Sequence, residues 1–164
     1  MAKLILLRGN SASGKTTLAT QLQAHFGTDQ CFVLHQDWIR RELLQANDHP
    51  GTPAVALIED LLDFGARHYQ LAILEGILRR DVYGAMLLRA SQQFEQPSLV
   101  YYLDLPFAQT WQRNLLKARP FTEAQLKSWW LVADQLTSSD RRLTAPTTAD
   151  NLQQVLNDWQ QINQ

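Results

Sequence analysis

The sequence predicts an α/β domain built on a parallel sheet with helices on both faces. Three observations carry this. Short apolar runs alternate along the chain with longer amphipathic stretches, the order that successive βαβ units require. The short runs are continuously apolar, as strands buried on both faces are. Finally, Gly9-Asn10-Ser11-Ala12-Ser13-Gly14-Lys15-Thr16 sits between the first apolar run and the first amphipathic one, which makes a strand, a glycine-rich turn and a helix in series.

The elements follow in order. Residues 3–8 read as the first strand. A helix is expected over 14–26, with Leu18, Leu22 and Phe26 on one face at helical spacing, ended by Gly27. Cys31-Phe32-Val33-Leu34 is a second buried strand. Asp37 opens a short helix with Ile39, Leu43 and Leu44 on one side, and 47–51 is a loop. Thr52-Pro53 has the form of an N-cap followed by proline at the first helical position, starting a helix that carries Val55, Ile58, Leu61, Leu62 and Tyr69. Residues 71–74 are a third strand. A helix over 81–94 has Val82, Met86, Ala90 and Phe94 in phase, and 99–103 is a fourth strand. Pro106 opens a helix through Trp111 and Leu115. Thr122-Glu123-Ala124-Gln125 is a capping box, predicting a helix to residue 136. A short fifth strand over 142–144 precedes a last helix with Leu152, Val155, Leu156, Trp159 and Ile162. Residues 1–164 read as one domain, without repeats or linkers.

The glycine-rich turn is the phosphate-binding loop pattern, Gly, four residues, Gly-Lys-Thr. Triphosphate needs many donors at close range. Small residues let successive backbone N–H groups turn inward as an anion nest, and the following helix adds its free N–H groups and positive dipole end. Gly9, Asn10, Ser11, Ala12, Ser13, Gly14, Lys15, Thr16 and Thr17 are thus the expected nucleotide-binding residues. Lys15 reaches the β and γ phosphates and Thr16 ligates Mg²⁺.

Composition narrows the setting. The chain has 164 residues and a net charge of −1. Its basic residues pair only as Arg40-Arg41, Arg79-Arg80 and Arg141-Arg142, which opposes extended nucleic-acid binding, since that needs many phosphate contacts. Cys31 is the one cysteine, so no internal disulfide forms and the cytoplasm is the expected location. No apolar run approaches about 18 residues, so neither signal peptide nor membrane span is expected.

In parallel sheets, ligands bind beyond the carboxyl ends of the strands. Beyond the second strand lie Asp37 and Arg40, beyond the third Glu75 and Gly76, beyond the fourth Asp104. Asp37 is placed to take a proton from a hydroxyl attacking the γ-phosphate, or to cap the helix after it. Arg40, one turn on, either holds an anionic substrate group or lies on a solvated face. Glu75 either holds a Mg²⁺-bound water, contacts the acceptor, or bonds a neighbouring loop. Gly76 allows close backbone approach. Asp104 reads first as a cap for the helix at Pro106. Trp38 reads as a stacking residue or as core, and Trp129, Trp130 and Trp159 as packing residues. Arg113 and Arg119 flank 114–118 and read as a lid that balances transition-state charge, or as an exposed residue and a helix-end partner.

These residues together resemble the P-loop small-molecule kinases, a group that includes chloramphenicol phosphotransferase, zeta toxin and the kinase domain of phage polynucleotide kinase. The nearest resemblance is to short bacterial proteins labelled uridine kinase or kinase. It is carried by the phosphate loop, Gln36-Asp37 with Arg40, the run 73–78, Thr110 with Arg113, Arg119-Pro120, and Trp130 followed by Asp134-Gln135-Leu136. The resemblance implies an adenylate-kinase-like core with strand order 2-3-1-4-5 and a lid over about residues 113–122. It implies ATP with Mg²⁺ as donor, Asp37 as base, Arg40 as substrate anchor and a small molecule with a hydroxyl group as acceptor. Two alternatives stand beside it. One is a nucleotide-dependent switch or ATPase acting through a partner; the other is a nucleic-acid 5′-end kinase, favoured by Asp37-x-x-Arg40 and opposed by the near-neutral charge.

Overall fold

A computed structural model describes residues 1–163 of the chain. The elements run β1 (Lys3–Gly9), α1 (Lys15–Phe26), β2 (Cys31–His35), α2 (Gln36–Trp38) continued by a π-helical turn (Ile39–Leu43), α3 (Pro53–His68), β3 (Leu71–Gly76), α4 (Arg80–Ser91), β4 (Leu99–Leu103), α5 (Phe107–Leu115), α6 (Glu123–Trp129), β5 (Arg141–Leu143) and α7 (Thr148–Gln161).

The five strands form one parallel sheet in the order β2-β3-β1-β4-β5, as expected. β1 is central and buried along its whole length. Its side chains alternate between two cores, because successive strand residues point to opposite faces. Leu4 and Leu6 join Ile58 and Leu62 of α3 and Met86 and Leu87 of α4. Ile5 and Leu7 join Leu18 and Leu22 of α1 and Val155 of α7. This is why the sequence shows unbroken apolar runs. Cys31 is buried and unpaired, and burial pushes its thiol up to about 12.

α4 stops at Ser91 instead of residue 94 and β5 lies at Arg141–Leu143 instead of 142–144; three further differences from the sequence reading bear on the site. β3 continues through Glu75 and Gly76, so the rim carboxylate belongs to the strand itself. The segment after Asp37 is π-helical over Ile39–Leu43, and Leu43 is exposed. A π-turn changes the angular spacing of the apolar positions, which a helical pattern does not reveal. Last, α6 stops at Trp129 instead of residue 136, because Trp130 is extended and the Leu131 main chain is taken by the Asn10 side chain. The Thr122/Gln125 capping box is present.

Candidate functional site

β1 runs straight into the glycine-rich loop. Gly9 has φ +146°, and a Cβ there would lie 2.7 Å from the Leu103 carbonyl oxygen, so β1 and β4 approach too closely for a side chain. Gly14 has φ +96°, and a Cβ would meet Arg113 Nη1 at 2.7 Å. Gly14 is the N-cap of α1 and is left-handed, a conformation that costs glycine nothing. The loop thus leads directly into the N-terminus of α1, the end of a helix that favours phosphate.

Lys15 is buried beneath this loop. Its Nζ donates to the Asn10 carbonyl at 2.7 Å and to Ser13 Oγ at 3.3 Å. Burial lowers the ammonium to about 8, with Lys117 adding to the fall and Glu75 and Asp37 opposing it. The Thr16 hydroxyl donates to Glu75 Oε1 at 3.0 Å, and His35 Nδ1 reaches the same oxygen at 2.8 Å. Glu75 is 4% exposed. Burial pushes its carboxyl up, but the His35 hydrogen bond, the Lys15 charge and the Thr16 hydroxyl outweigh that, and it lies below its ordinary value. Thr16 and Glu75 thus place two hard oxygen donors beside the phosphate loop, the donor type that Mg²⁺ prefers when phosphate and water complete its shell. Among the described residues no cluster of three His, Cys, Asp or Glu side chains is set to hold a metal alone.

Asp37 lies inside the first turn of α2 and makes no capping hydrogen bond. Its carboxylate pairs with Arg40 Nη2 at 3.1 Å and Arg41 at 3.2 Å. Arg40 also donates to the Ala46 carbonyl at 3.0 Å, so a single guanidinium holds both Asp37 and the start of the following loop. Gly76 is required by Gln36, whose Cβ would stand 2.7 Å from a Cβ at that position.

Two cavities meet at the loop. One, of about 380 Å³, lies between Ala12, Gly14, Lys15, Thr16 and Thr17 on one side and Arg113, Lys117 and 146–148 on the other. The second, of about 580 Å³, is walled by Lys15, Thr16, Asp37, Arg40, Arg41, Asp48, Glu75, Gly76, Arg79, Phe121 and Trp129, among others. Ala12, Lys15, Thr16 and Lys117 border both. Arg41 completes the second wall, with its guanidinium 5.4 Å from the centre of the Phe121 ring and 5.7 Å from that of Trp129.

The structure thus gathers Lys15, Thr16, Asp37, Arg40, Glu75 and Gly76 around one space. Arg113 borders the other, donating to the Ser13 carbonyl at 2.8 Å and the Pro146 carbonyl at 2.5 Å. Arg119 is exposed and borders neither. Asp104 pairs with Arg142, and Pro106, not Asp104, is the N-cap of α5. Trp38 is 58% exposed, neither core nor cavity wall. Trp129, read as a packing residue, borders the larger cavity. Asp48, Arg79 and 146–148 were not singled out for the site, and Lys117 lay in the expected lid segment without a role of its own. Residues 146–148 follow the last strand, so the strand-end rule extended to β5 would have found them.

Comparison with known proteins agrees with this architecture. The AAA domain family model matches residues 4–136. No curated protein matches the chain. Among solved structures, a gluconokinase from Sinorhizobium meliloti 1021 superposes with a TM-score of 0.69 at 14% identity, covering 98% of this chain and 93% of that one. The APS kinase of Mycobacterium tuberculosis, solved with AMPPNP and APS, gives 0.68 at 16%, covering 95% and 96%. A shikimate kinase from Bacteroides thetaiotaomicron gives 0.63 at 13%, covering 96% and 98%. These likenesses establish a shared fold.

Proposed function

The chain belongs to the AAA domain family, and on that premise we propose that it is an ATP-dependent phosphotransferase that moves the γ-phosphate to a hydroxyl of a small molecule. The observation that carries this reading is the meeting of two cavities at Lys15 and Thr16. A nucleotide hydrolase needs one such space. A transferase needs a second, on the far side of the γ-phosphate, with a base in it.

Each part has a candidate. The nucleotide lies along the smaller cavity with its phosphates in the loop 9–17, Lys15 on the β and γ phosphates, and Arg113 beside them. Thr16 would hold Mg²⁺, with Glu75 beside it holding the ion or a water bound to it, and the ion would supply neutralisation of phosphate charge. In the larger cavity Asp37 takes the proton of the acceptor hydroxyl as its oxygen bonds to the γ-phosphorus. The bond from that phosphorus to the bridging oxygen breaks, and ADP leaves with the electron pair. Such transfer is mostly positioning and charge stabilisation, so the cations lining the cavity matter as much as the base. Arg40 anchors the acceptor, and residues 113–122, with Arg119, form the lid. The acceptor is nucleoside-like or antibiotic-like; that finer resemblance, to the chloramphenicol phosphotransferase and uridine kinase group, rests on the sequence motifs alone.

The test is ADP formation by the purified protein with Mg²⁺–ATP, alone and with nucleosides, sugars, antibiotics and oligonucleotides. Strong stimulation by one class of small hydroxyl compound supports the reading. Equal turnover with and without every acceptor points to the switch, and stimulation by oligonucleotides alone to a 5′-end kinase.

A further inference from the structure

Residues 121–131 form one wall of the larger cavity, contributing Phe121, Ser128, Trp129 and Leu131. The two ends of this wall are held in the same way. At one end, Asn114 of α5, fully buried, donates from Nδ2 to the Phe121 carbonyl at 2.8 Å and accepts the Phe121 N–H at 3.0 Å. At the other, Asn10 donates to the Leu131 carbonyl at 2.8 Å and accepts the Leu131 N–H at 2.9 Å. An asparagine amide carries a donor and an acceptor side by side, so each clip satisfies both polar groups of one main-chain residue. No other polar side chain of that length does so.

Both clips start from residues tied to the phosphate loop. Asn10 is part of the loop, and its own carbonyl accepts Lys15 Nζ at 2.7 Å. Asn114 follows Arg113, whose Nη1 donates to the Ser13 carbonyl at 2.8 Å. Beyond Leu131 the same segment is fixed again, where Arg8 at the end of β1 donates to the Asp134 carbonyl at 2.7 Å.

We infer that Asn10 and Asn114 are positioning residues that hang the 121–131 wall on the phosphate loop, so that filling the loop with nucleotide and filling the larger cavity are energetically coupled. The inference rests on the phosphotransferase reading for the identity of the two ligands. Coupling requires a contact that differs between states. The Lys15–Asn10 bond is one: phosphates that draw Nζ onto themselves release the Asn10 carbonyl while the Asn10 amide stays on Leu131. The wall then responds at its points of suspension without touching the nucleotide.

Hydrogen exchange read by mass spectrometry on the full chain, with and without Mg²⁺–AMPPNP, tests this, with calorimetry recording nucleotide binding in parallel. Saturating nucleotide is expected to slow exchange through 121–131 by about fivefold or more, the lower end of ordinary coupling between sites. Asn114 borders neither cavity; with calorimetry fixing the nucleotide concentration that saturates each protein, Asn114→Ala compared at full occupancy should lose that response. Asn114→Asp keeps the acceptor for the Phe121 N–H and should retain part of it. If nucleotide binds to the wild-type protein and exchange through 121–131 does not change, the asparagines are structural clips only; the coupling is refuted and the phosphotransferase reading stands. Absence of nucleotide binding to the wild-type protein overturns both. Should Asn114→Ala not fold, the wild-type comparison alone decides.

Discussion

Thr16 and Glu75 are joined by a 3.0 Å hydrogen bond from the threonine hydroxyl to Oε1, which ties the first turn of α1 to the end of β3. The two residues are far apart in the chain, but β1, which leads into the phosphate loop, pairs directly with β3, with Leu7 beside Glu75. A carboxylate at that register position stands beside the phosphate loop.

Glu75→Gln keeps the shape of this contact and removes the charge. If Glu75 orders the water shell of Mg²⁺, the variant should need more Mg²⁺ for half-maximal turnover and lose about 10- to 100-fold in metal affinity or activity, as outer ligands usually do. A magnesium titration of ATP turnover checks this. An unchanged titration would leave Glu75 as a partner of His35 and Thr16 only.

Asp37→Asn should separate chemistry from stability. Asp37 makes no capping bond and its own side chain is 54% exposed, although Arg40 on the other side of the pair is largely covered. Exposed pairs are worth about 0–1 kcal/mol, so urea unfolding should shift little. Loss of a general base should lower acceptor-dependent turnover by about 10²–10⁴-fold while ATP still binds. A near-normal rate would remove Asp37 from the chemistry.

Arg113 holds carbonyl groups from two separate segments, Ser13 and Pro146, beside the smaller cavity. Arg113→Ala is expected to lower kcat more than it weakens nucleotide binding, the pattern of a contact strongest in the transition state. Arg113→Lys should rescue poorly, because a point charge does not reproduce a planar two-pronged grip. Steady-state kinetics with nucleotide affinity for both variants checks it; a pure affinity loss would make Arg113 a binding residue.

Arg8 is fully buried. It donates to the Leu78 carbonyl and pairs with Asp134 at 3.1 Å, with Asp140 3.7 Å away. Desolvation lowers its pKa, and the two carboxylates oppose that. Arg8→Ala leaves both carboxylates without their cation inside the fold, which costs about 3–5 kcal/mol for a broken buried pair. Denaturant unfolding measures it. Replacement by methionine together with Asp134→Asn should recover part of the loss, with Asp140 left in place because its two oxygens accept the Leu136 and Thr137 N–H groups.

The strands and the phosphate loop were legible because their signals are local. β1 and β3 are buried on both sides and must be apolar throughout, and the loop needs its glycines at fixed positions. The end of α6 was not legible. Leu131, Val132 and Leu136 continue an apolar pattern, but Asn10, far away in sequence, competes for the Leu131 main chain. The acid side of the site was half visible: Asp37 and Glu75 follow from the strand-end rule, whereas Asp48 reaches it from a loop, where it accepts the Tyr83 hydroxyl at 2.7 Å. Arg8 reads in the sequence as an ordinary charged residue at a strand end; only the folded chain brings Asp134 and Asp140 to it.

Whether the two cavities serve one transfer reaction is most directly settled by following the phosphorus itself. Phosphorus NMR of the wild-type protein with Mg²⁺–ATP and the stimulating acceptor should show the γ signal falling as a phosphate-monoester signal rises in equal amount. Lys15→Ala should show neither change. Growth of inorganic phosphate alone, with every acceptor tried, would contradict the account and leave a nucleotide hydrolase.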